Sequence, residues 1–211
     1  MKGFEQSIET HWTAAWQDKR FRWQLMLAIS VFAIFPWKAD DYFQWIQQRE
    51  GYVIQDIILE NFPAFNVSIP IFGIIYLSVI YLLVRIVRRP KLFLWFAWAF
   101  NIETILRFIC IYTVPLNPPI GLVDLHDPFA ELFIYGDNIA ITKDLFFSGH
   151  TATMVFVCYF LPNAWERKFA GVLAVLLVVL LLIQHVHYSL DVLAAPMVTW
   201  LAIRMAKKIV D

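Results

Sequence analysis

Residues 168–191 read KFAGVLAVLLVVLLLIQHVHYSLD. The apolar part of this stretch approaches the roughly 20 residues that a helix needs to cross hydrocarbon about 30 Å thick. Two cations, Arg167 and Lys168, stand at its start, and the polar segment HVHYSLD (185–191) closes it. We therefore expect a membrane-spanning helix with a basic end and an opposite end that carries histidines and an acid.

The composition of the whole chain also indicates a protein that lies in a membrane. Of its 211 residues, 60% are hydrophobic, and the mean hydropathy is +0.62, whereas soluble domains are about 45–50% apolar. The 17 basic and 17 acidic residues balance, so no nucleic-acid partner is expected. Cys110 and Cys158 lie inside apolar runs, where we expect inert thiols and neither a disulfide framework nor a metal site.

Six stretches are long and apolar enough to be spans: 21–38, 68–87, 92–114, 146–162, 168–186 and 188–206. They predict an all-α, polytopic membrane protein of about six transmembrane helices. We expect a single membrane-embedded catalytic domain over 1–211 with its motif-bearing core at 92–206. The segment 39–67 mixes aromatic residues with acids and predicts an interfacial helix with Trp45 and Tyr52 at headgroup level.

The connections between these spans alternate in charge. Cations occupy the start of the first span, every second connection and the C-terminal end: Lys19, Arg20, Arg22, Arg85, Arg88, Arg89, Lys91, Arg167, Lys168, Lys207 and Lys208. Acids occupy the first and third connections: Asp40, Asp41, Glu50, Asp56, Glu60, Asp124, Asp127, Glu131, Asp137 and Asp144. Because basic loops face the cytoplasm, both termini are predicted to be cytoplasmic.

This topology brings two distant motifs to the non-cytoplasmic face. SGHT (148–151) opens the fourth span, and HVHYSLD (185–191) joins the last two. His187 and Asp191, spaced i, i+4, would share a helix face, so the carboxylate could orient the imidazole and leave its other nitrogen free as a nucleophile or base. His150 could then act as a general acid. Two histidines and a carboxylate suit phosphoryl transfer through a phosphohistidine, without a metal or cofactor.

Simpler interpretations of these residues remain open. Histidines at span ends often serve as interfacial anchors, the Asp–His pair could be structural, and Gly149 could be a packing contact. A metal site built from His185, His187 and Asp191 is disfavoured, because side chains at i and i+2 of a helix point apart.

Polar residues of the third span and the loop before SGHT are candidates for substrate binding. Arg107 could hold a phosphate, or could form a self-neutralising pair with Glu103 at i−4. Lys143 is a second candidate cation, and Tyr112 could support the headgroup by hydrogen bonding. The remaining candidates lie in and just before SGHT: Asp144, which could position the loop, attract a cationic headgroup or be merely solvated, and Ser148 and Gly149.

DLFFSGHT (144–151) together with HVHYSLDV (185–192) resembles the paired signatures of the sphingomyelin synthase family, within the lipid phosphate phosphatase (PAP2) superfamily. Arg107, Tyr112 and TVPL (113–116) resemble a third element of that family. The resemblance covers roughly 100–197. It implies a PAP2-like bundle of six spans whose site faces the lumenal or exoplasmic side, and the modest length is similar to bacterial members, which implies the bacterial inner membrane.

By the family pattern, His187 is the nucleophile, Asp191 its orienting carboxylate, and His150 the acid and then the base. The headgroup of a glycerophospholipid passes to a lipid alcohol, ceramide or diacylglycerol, as in sphingolipid metabolism. The phosphatase branch carries elements that are changed here: Leu82 stands in place of a Lys, Phe147 in place of a Pro and Leu180-Leu181 in place of Ser-Arg, and Arg89 falls in a basic loop away from the histidines. The phosphate-binding cations of that branch are therefore missing, which favours the synthase-like branch. A lipid phosphate phosphatase is the alternative enzyme, and a non-catalytic transporter or binding protein using Glu103 and Arg107 is the alternative outside catalysis.

Overall fold

The computed structural model describes residues 11–125 and 141–211. This part of the chain forms eight helices: α1 Trp12–Gln17, α2 Lys19–Gln48, α3 Ile57–Glu60, α4 Ser68–Ile86, α5 Pro90–Thr113, α6 Gly149–Phe160, α7 Ala164–Ile183 and α8 Ser189–Val210. Within the described ranges, an isolated bridge between Tyr52 and Leu116 is the only β-type pairing. The predicted all-α fold is confirmed.

Each of the six predicted spans corresponds to one helix, but the six are not equal. Three helices, α4, α5 and α8, are long and apolar enough to cross a membrane, which suggests an integral membrane protein. The helix α6 has only 12 residues, and α7 carries Glu166, Arg167 and Lys168 in its first turns. Crossing by α2, α6 and α7 stays a prediction.

The helices pack into one bundle around an apolar core. The helix α5 runs along α8, and the indole Nε1 of Trp95 donates to the carbonyl oxygen of Ile203 across that interface at 3.0 Å. Large apolar side chains also point outward, among them Ile69 at 89%, Met197 at 74% and Val175 at 67% exposure. A soluble monomer rarely shows so much apolar surface, and a bilayer covers it.

The bundle has two chemically different ends. One, the basic end, consists of residues 12–24, 81–91, 161–168 and 204–211, and carries all the cation clusters of the sequence; here the Arg20 guanidinium donates to carbonyl oxygens of Ile209 and Asp211. The other, the site end, consists of residues 42–72, 107–124, 141–151 and 182–191. The predicted alternation of connections is therefore present in the fold, while the assignment of the basic end to the cytoplasm stays a prediction from charge.

The interfacial helix predicted over 39–67 is not what the chain forms. The helix α2 continues past Pro36 to Gln48, so Trp45 belongs to α2 and stacks on Tyr112 of α5 at 5.5 Å. Tyr52 lies in extended chain, because its amide donates to the carbonyl of Pro115 and its carbonyl accepts from the amide of Asn117, both at 2.9 Å. Helix in the rest of the segment is limited to α3. Three predicted loop acids lie outside the described residues: Asp127, Glu131 and Asp137.

Candidate active site

Three side chains from two separate motifs meet at the site end. His150 Nδ1 lies 3.4 Å from His187 Nε2, and His187 Nδ1 lies 3.5 Å from Asp191 Oδ2. The side chains of His187 and Asp191 are 3% and 0% exposed. The 3.5 Å separation is longer than a well-formed hydrogen bond, as is common for catalytic contacts before substrate arrives. The three groups therefore form a row, in which the Asp191 carboxylate lies next to the His187 ring and the His187 ring lies next to the His150 ring.

A helix cap brings His187 and Asp191 together, and not the shared helix face that their i, i+4 spacing predicts. The helix α8 begins at Ser189, so His187 precedes the helix, and the two residues do not share a helix face. Asp191 lies in the first turn, and its Oδ2 accepts from the backbone amide of Tyr188 at 3.0 Å. This capping bond turns the carboxylate back toward the preceding chain, where His187 meets the same oxygen.

The first turn of α6 is joined directly to α8. Ser148 caps α6 by accepting from the amide of Thr151, and its own amide donates to the carbonyl oxygen of Asp191 at 3.2 Å. The N-termini of α6 and α8 therefore converge. Because unpaired amides and the helix dipole favour negative charge, this junction is suited to a phosphate.

Arg107 enters the site from the last turns of α5. Its Nη2 donates to the carboxylate of Asp144 at 2.9 Å and to the backbone carbonyl of the same residue at 3.0 Å. Burial raises the pKa of Asp144, and the neighbouring Arg107 charge opposes that rise. The guanidinium also packs on Gly149, where a Cβ would lie 2.6 Å from Arg107 Cζ. Only glycine leaves room for this contact.

A cavity of about 390 Å³ opens beside these groups. Its polar end is formed by His150, Arg107 and Asp144, with Glu103 deeper along α5. Its walls are mostly apolar and come from α2, α4 and α5: Phe32, Phe35, Pro36, Ala39, Phe43, Ile75, Phe100, Phe108 and Ile111. His187 does not line this cavity and lies on the far side of His150. A lipid chain fits such a wall, with its phosphate at the polar end.

The other candidates take up varied positions. The hydroxyl of Ser148 is fully buried in the α6 cap. Lys143 Nζ donates to the carbonyl oxygen of Arg49 at 2.6 Å. Tyr112 is 60% exposed on the Trp45 ring, outside the cavity lining. The acidic partner within hydrogen-bonding distance of Arg107 is Asp144. Glu103, the other acidic partner considered for Arg107, is buried at 5% exposure.

Sequence reasoning missed several polar contacts that join separate segments at the site end. Gln47 and Thr142 form a reciprocal pair, at 2.9 Å between side chains and 3.1 Å from the Thr142 amide. The buried amide of Gln184 accepts from the backbone of Val67 and donates to the hydroxyl of Ser68. Asparagine, glutamine and threonine in loops carry no distinctive spacing, so the sequence offers no signal for these pairs.

Comparison with known proteins identifies the family of one segment of the chain. Residues 143–208 match the family described as PAP2 superfamily C-terminal. This segment contains both histidine motifs, the whole of α6 and α7, and α8 except for its last two residues. This segment is therefore a PAP2 superfamily C-terminal domain of the sphingomyelin synthase-like family. Among curated proteins none matches the chain. Membership of this family suggests a lipid phosphatase or phosphotransferase and implies lipid phosphate substrates.

Proposed function

We propose that the protein transfers the phosphorylated headgroup of a glycerophospholipid to a lipid alcohol, ceramide or diacylglycerol, through a phosphohistidine. The observation that carries this proposal is the contact of His150 with His187 and of His187 with Asp191, beside a cavity with apolar walls. A phosphate brought to the polar end of that cavity by a lipid tail would meet His150, Arg107 and two helix N-termini together.

In the first half-reaction, His187 Nε2 attacks the phosphorus of the donor lipid. The N–P bond forms as the bond from phosphorus to the glycerol oxygen breaks, and protonated His150 gives its proton to that oxygen, so diacylglycerol leaves. Asp191 stabilises the charge that develops on the His187 ring through Nδ1. An arriving phosphate favours the protonated form of His150, since an opposite charge nearby stabilises the cation.

In the second half-reaction, the acceptor alcohol takes the place of diacylglycerol. Neutral His150 removes the proton of the acceptor hydroxyl, the oxygen attacks phosphorus, and the N–P bond breaks to release His187. Each proton and each bond is restored at the end of the cycle. The present His150–His187 separation of 3.4 Å leaves no room for phosphorus between the rings, so His150 has to move aside when substrate enters.

Arg107 and Asp144 bind the phosphate region in this proposal. A guanidinium is suited to two phosphate oxygens at once, and Asp144 holds it in place before substrate arrives. Displaced from Arg107 by the phosphate, the carboxylate would face the rest of the headgroup. Lys143, Tyr112, Ser148 and Gly149 support the site around these two groups, through the loop, the aromatic stack and the α6 cap.

Transfer is favoured over hydrolysis by the surroundings of the histidines. The cavity walls are aromatic and aliphatic, which excludes water and accepts a second lipid. Arg89, which could be taken for a phosphatase cation, precedes α5, whereas Arg107 lies 18 residues later, about 27 Å along a helix. We place the site at the outer face of the membrane, with both chain ends on the cytoplasmic side.

The test is product analysis with purified protein in detergent or vesicles. A phospholipid labelled in both headgroup phosphorus and acyl chain, given with ceramide or diacylglycerol, should yield labelled diacylglycerol and a new phospholipid carrying the labelled phosphorus. Release of free phosphate from a phosphatidate substrate instead would support the phosphatase. Unchanged lipids, with His150→Ala and His187→Ala behaving as wild type in lipid binding, would favour the non-catalytic transporter.

A further inference from the structure

A carboxylate from outside both histidine motifs is attached to the turn that carries His187. Asp56, in the segment between α2 and α4, accepts from the Ser189 backbone amide at 2.6 Å through Oδ2 and from the Ser189 hydroxyl at 3.1 Å through Oδ1. Ser189 is the first residue of α8 and lies between His187 and Asp191. The residues are 133 positions apart in the chain.

Asp56 supplies a second cap at the start of α8, beside the bond from the Tyr188 amide to Asp191. The N-cap residue is Tyr188, whose hydroxyl points away to the carbonyl oxygen of Asn117 at 3.0 Å. Without an outside partner, the Ser189 amide would be one of the unpaired donors at the helix start. Because Asp56 accepts from the Ser189 amide, that donor does not compete with His187 for Asp191 Oδ2.

The charge state of Asp56 agrees with this arrangement. Burial opposes ionisation, but the hydrogen bonds from Ser189 and from the amides of α3 outweigh it, so the pKa of Asp56 lies below its usual value of 3.8. A lowered carboxyl pKa means that the stabilising bonds are present above that range and are lost only as pH falls through it. At neutral pH the cap is fully ionised.

We propose that Asp56 is a positioning residue for the His187–Asp191 pair, acting through its two hydrogen bonds to Ser189. This inference rests on the proposed function, because it assigns Asp56 to the geometry of the same nucleophile. Asp56 does not touch the cavity beside His150. It lines a separate cavity of about 320 Å³ with Ile54, Leu59 and Tyr188, so its effect reaches the reaction only through α8.

The experiment compares Asp56→Asn, Ser189→Ala and the double variant in the transfer assay. Asp56→Asn should lower kcat about 10- to 100-fold with KM changed less than about twofold, the size expected for misplacing a reactive group by about 1 Å. Ser189→Ala removes the hydroxyl bond but keeps the backbone bond to Asp56, so it should lower kcat by a smaller factor. The double variant should be no worse than Asp56→Asn, because both changes weaken the same linkage. Full activity of Asp56→Asn, or losses that multiply in the double variant, would overturn the inference.

Two control variants separate positioning from loss of charge or of local structure. Glu60→Gln removes an exposed acid from the same short helix, and Asn61→Ala removes a side-chain bond to the carbonyl of Ile57 within that helix. Both should keep wild-type kcat. If Asp56→Asn fails to fold, Ser189→Ala with Ser189→Thr replaces it: loss of kcat in the first and its return in the second support the inference, and wild-type kcat in Ser189→Ala refutes it.

A second readout needs no lipid substrate. The rate at which diethylpyrocarbonate modifies His187, measured by mass spectrometry of the whole protein's peptides, reports the exposure and basicity of Nε2. It should change severalfold in Asp56→Asn and Ser189→Ala and stay constant in Glu60→Gln. A wild-type protein that transfers no headgroup would count against the proposed function alone, and an unchanged His187 rate in Asp56→Asn would count against Asp56.

Discussion

The two ends of the bundle use polar groups in different ways. At the basic end, Arg85 pairs with Glu166 at 2.9 Å, and Arg20 binds carbonyl oxygens of the C-terminal residues. These contacts join pairs of helices. At the site end, His187 and Asp191 are nearly fully buried, and His150, which contacts His187, lines a cavity. Burying charge without full pairing is costly, and stability alone would not select it. The comparison teaches that polar groups at the basic end join helices, whereas the incompletely paired groups at the site end are those to which the proposed function assigns the chemistry.

The largest expected effect is at His187. Its removal in His187→Ala should lower kcat at least about 10⁴-fold, as for loss of a nucleophile, while the thermal midpoint moves by only a few degrees. The matched control is His185→Asn. His185 is about as buried as His187, but its ring forms a hydrogen bond with the carbonyl oxygen of Ile120, and its φ is positive at 55°. Asparagine tolerates that backbone region. Equal losses of kcat in both variants would contradict a special role for His187.

An intermediate effect is expected at Gly149. In Gly149→Ala the new methyl group meets Arg107 and must displace the guanidinium from Asp144, so kcat/KM should fall about 10- to 100-fold. Gly171→Ala is the control, since a Cβ there meets nothing within 4 Å and the residue lies within α7. It should leave kcat/KM unchanged and stabilise the helix by up to about 1 kcal/mol. A normal kcat/KM for Gly149→Ala would exclude Arg107 from phosphate binding.

The smallest effect on turnover is expected at Glu166, at the basic end. Glu166→Gln weakens the bond from the Tyr81 hydroxyl and removes the ion pair with Arg85, which should cost about 1–2 kcal/mol of stability. The kcat per folded molecule should not change. Chemical or thermal denaturation measures the first quantity and the transfer assay the second. A fall in kcat comparable to that of Gly149→Ala would show that the two ends are not separate.

The positions of the helices were largely predictable, because hydrophobic length is a local property. The predicted span 68–87 became α4 at 68–86, and 92–114 became α5 at 90–113. The continuation of α2 to Gln48 was not predictable, since acids and aromatic residues at 39–48 suit an interfacial helix as well as an extended span. Packing of Tyr42 and Phe43 against Phe108 of α5 decides it.

The candidate site was likewise predictable only in part. The motifs containing His150, His187 and Asp191 could be found in the sequence, and so could their common end of the bundle, because charge alternation orients every helix. The pairing of Arg107 with Asp144 was not predicted, since the sequence offered Glu103 as the acidic partner of Arg107, and the linkage of Asp56 to Ser189 gave no signal. Both join residues far apart in the chain.

By itself, the sequence determined which segments are helical, how they alternate and which motifs meet, since hydrophobicity and loop charge act locally. The tertiary structure alone decided which carboxylate holds Arg107, why Gly149 has no side chain and what caps α8. Such contacts depend on distances of a few ångströms between helices, and those distances are set only when the whole bundle is packed.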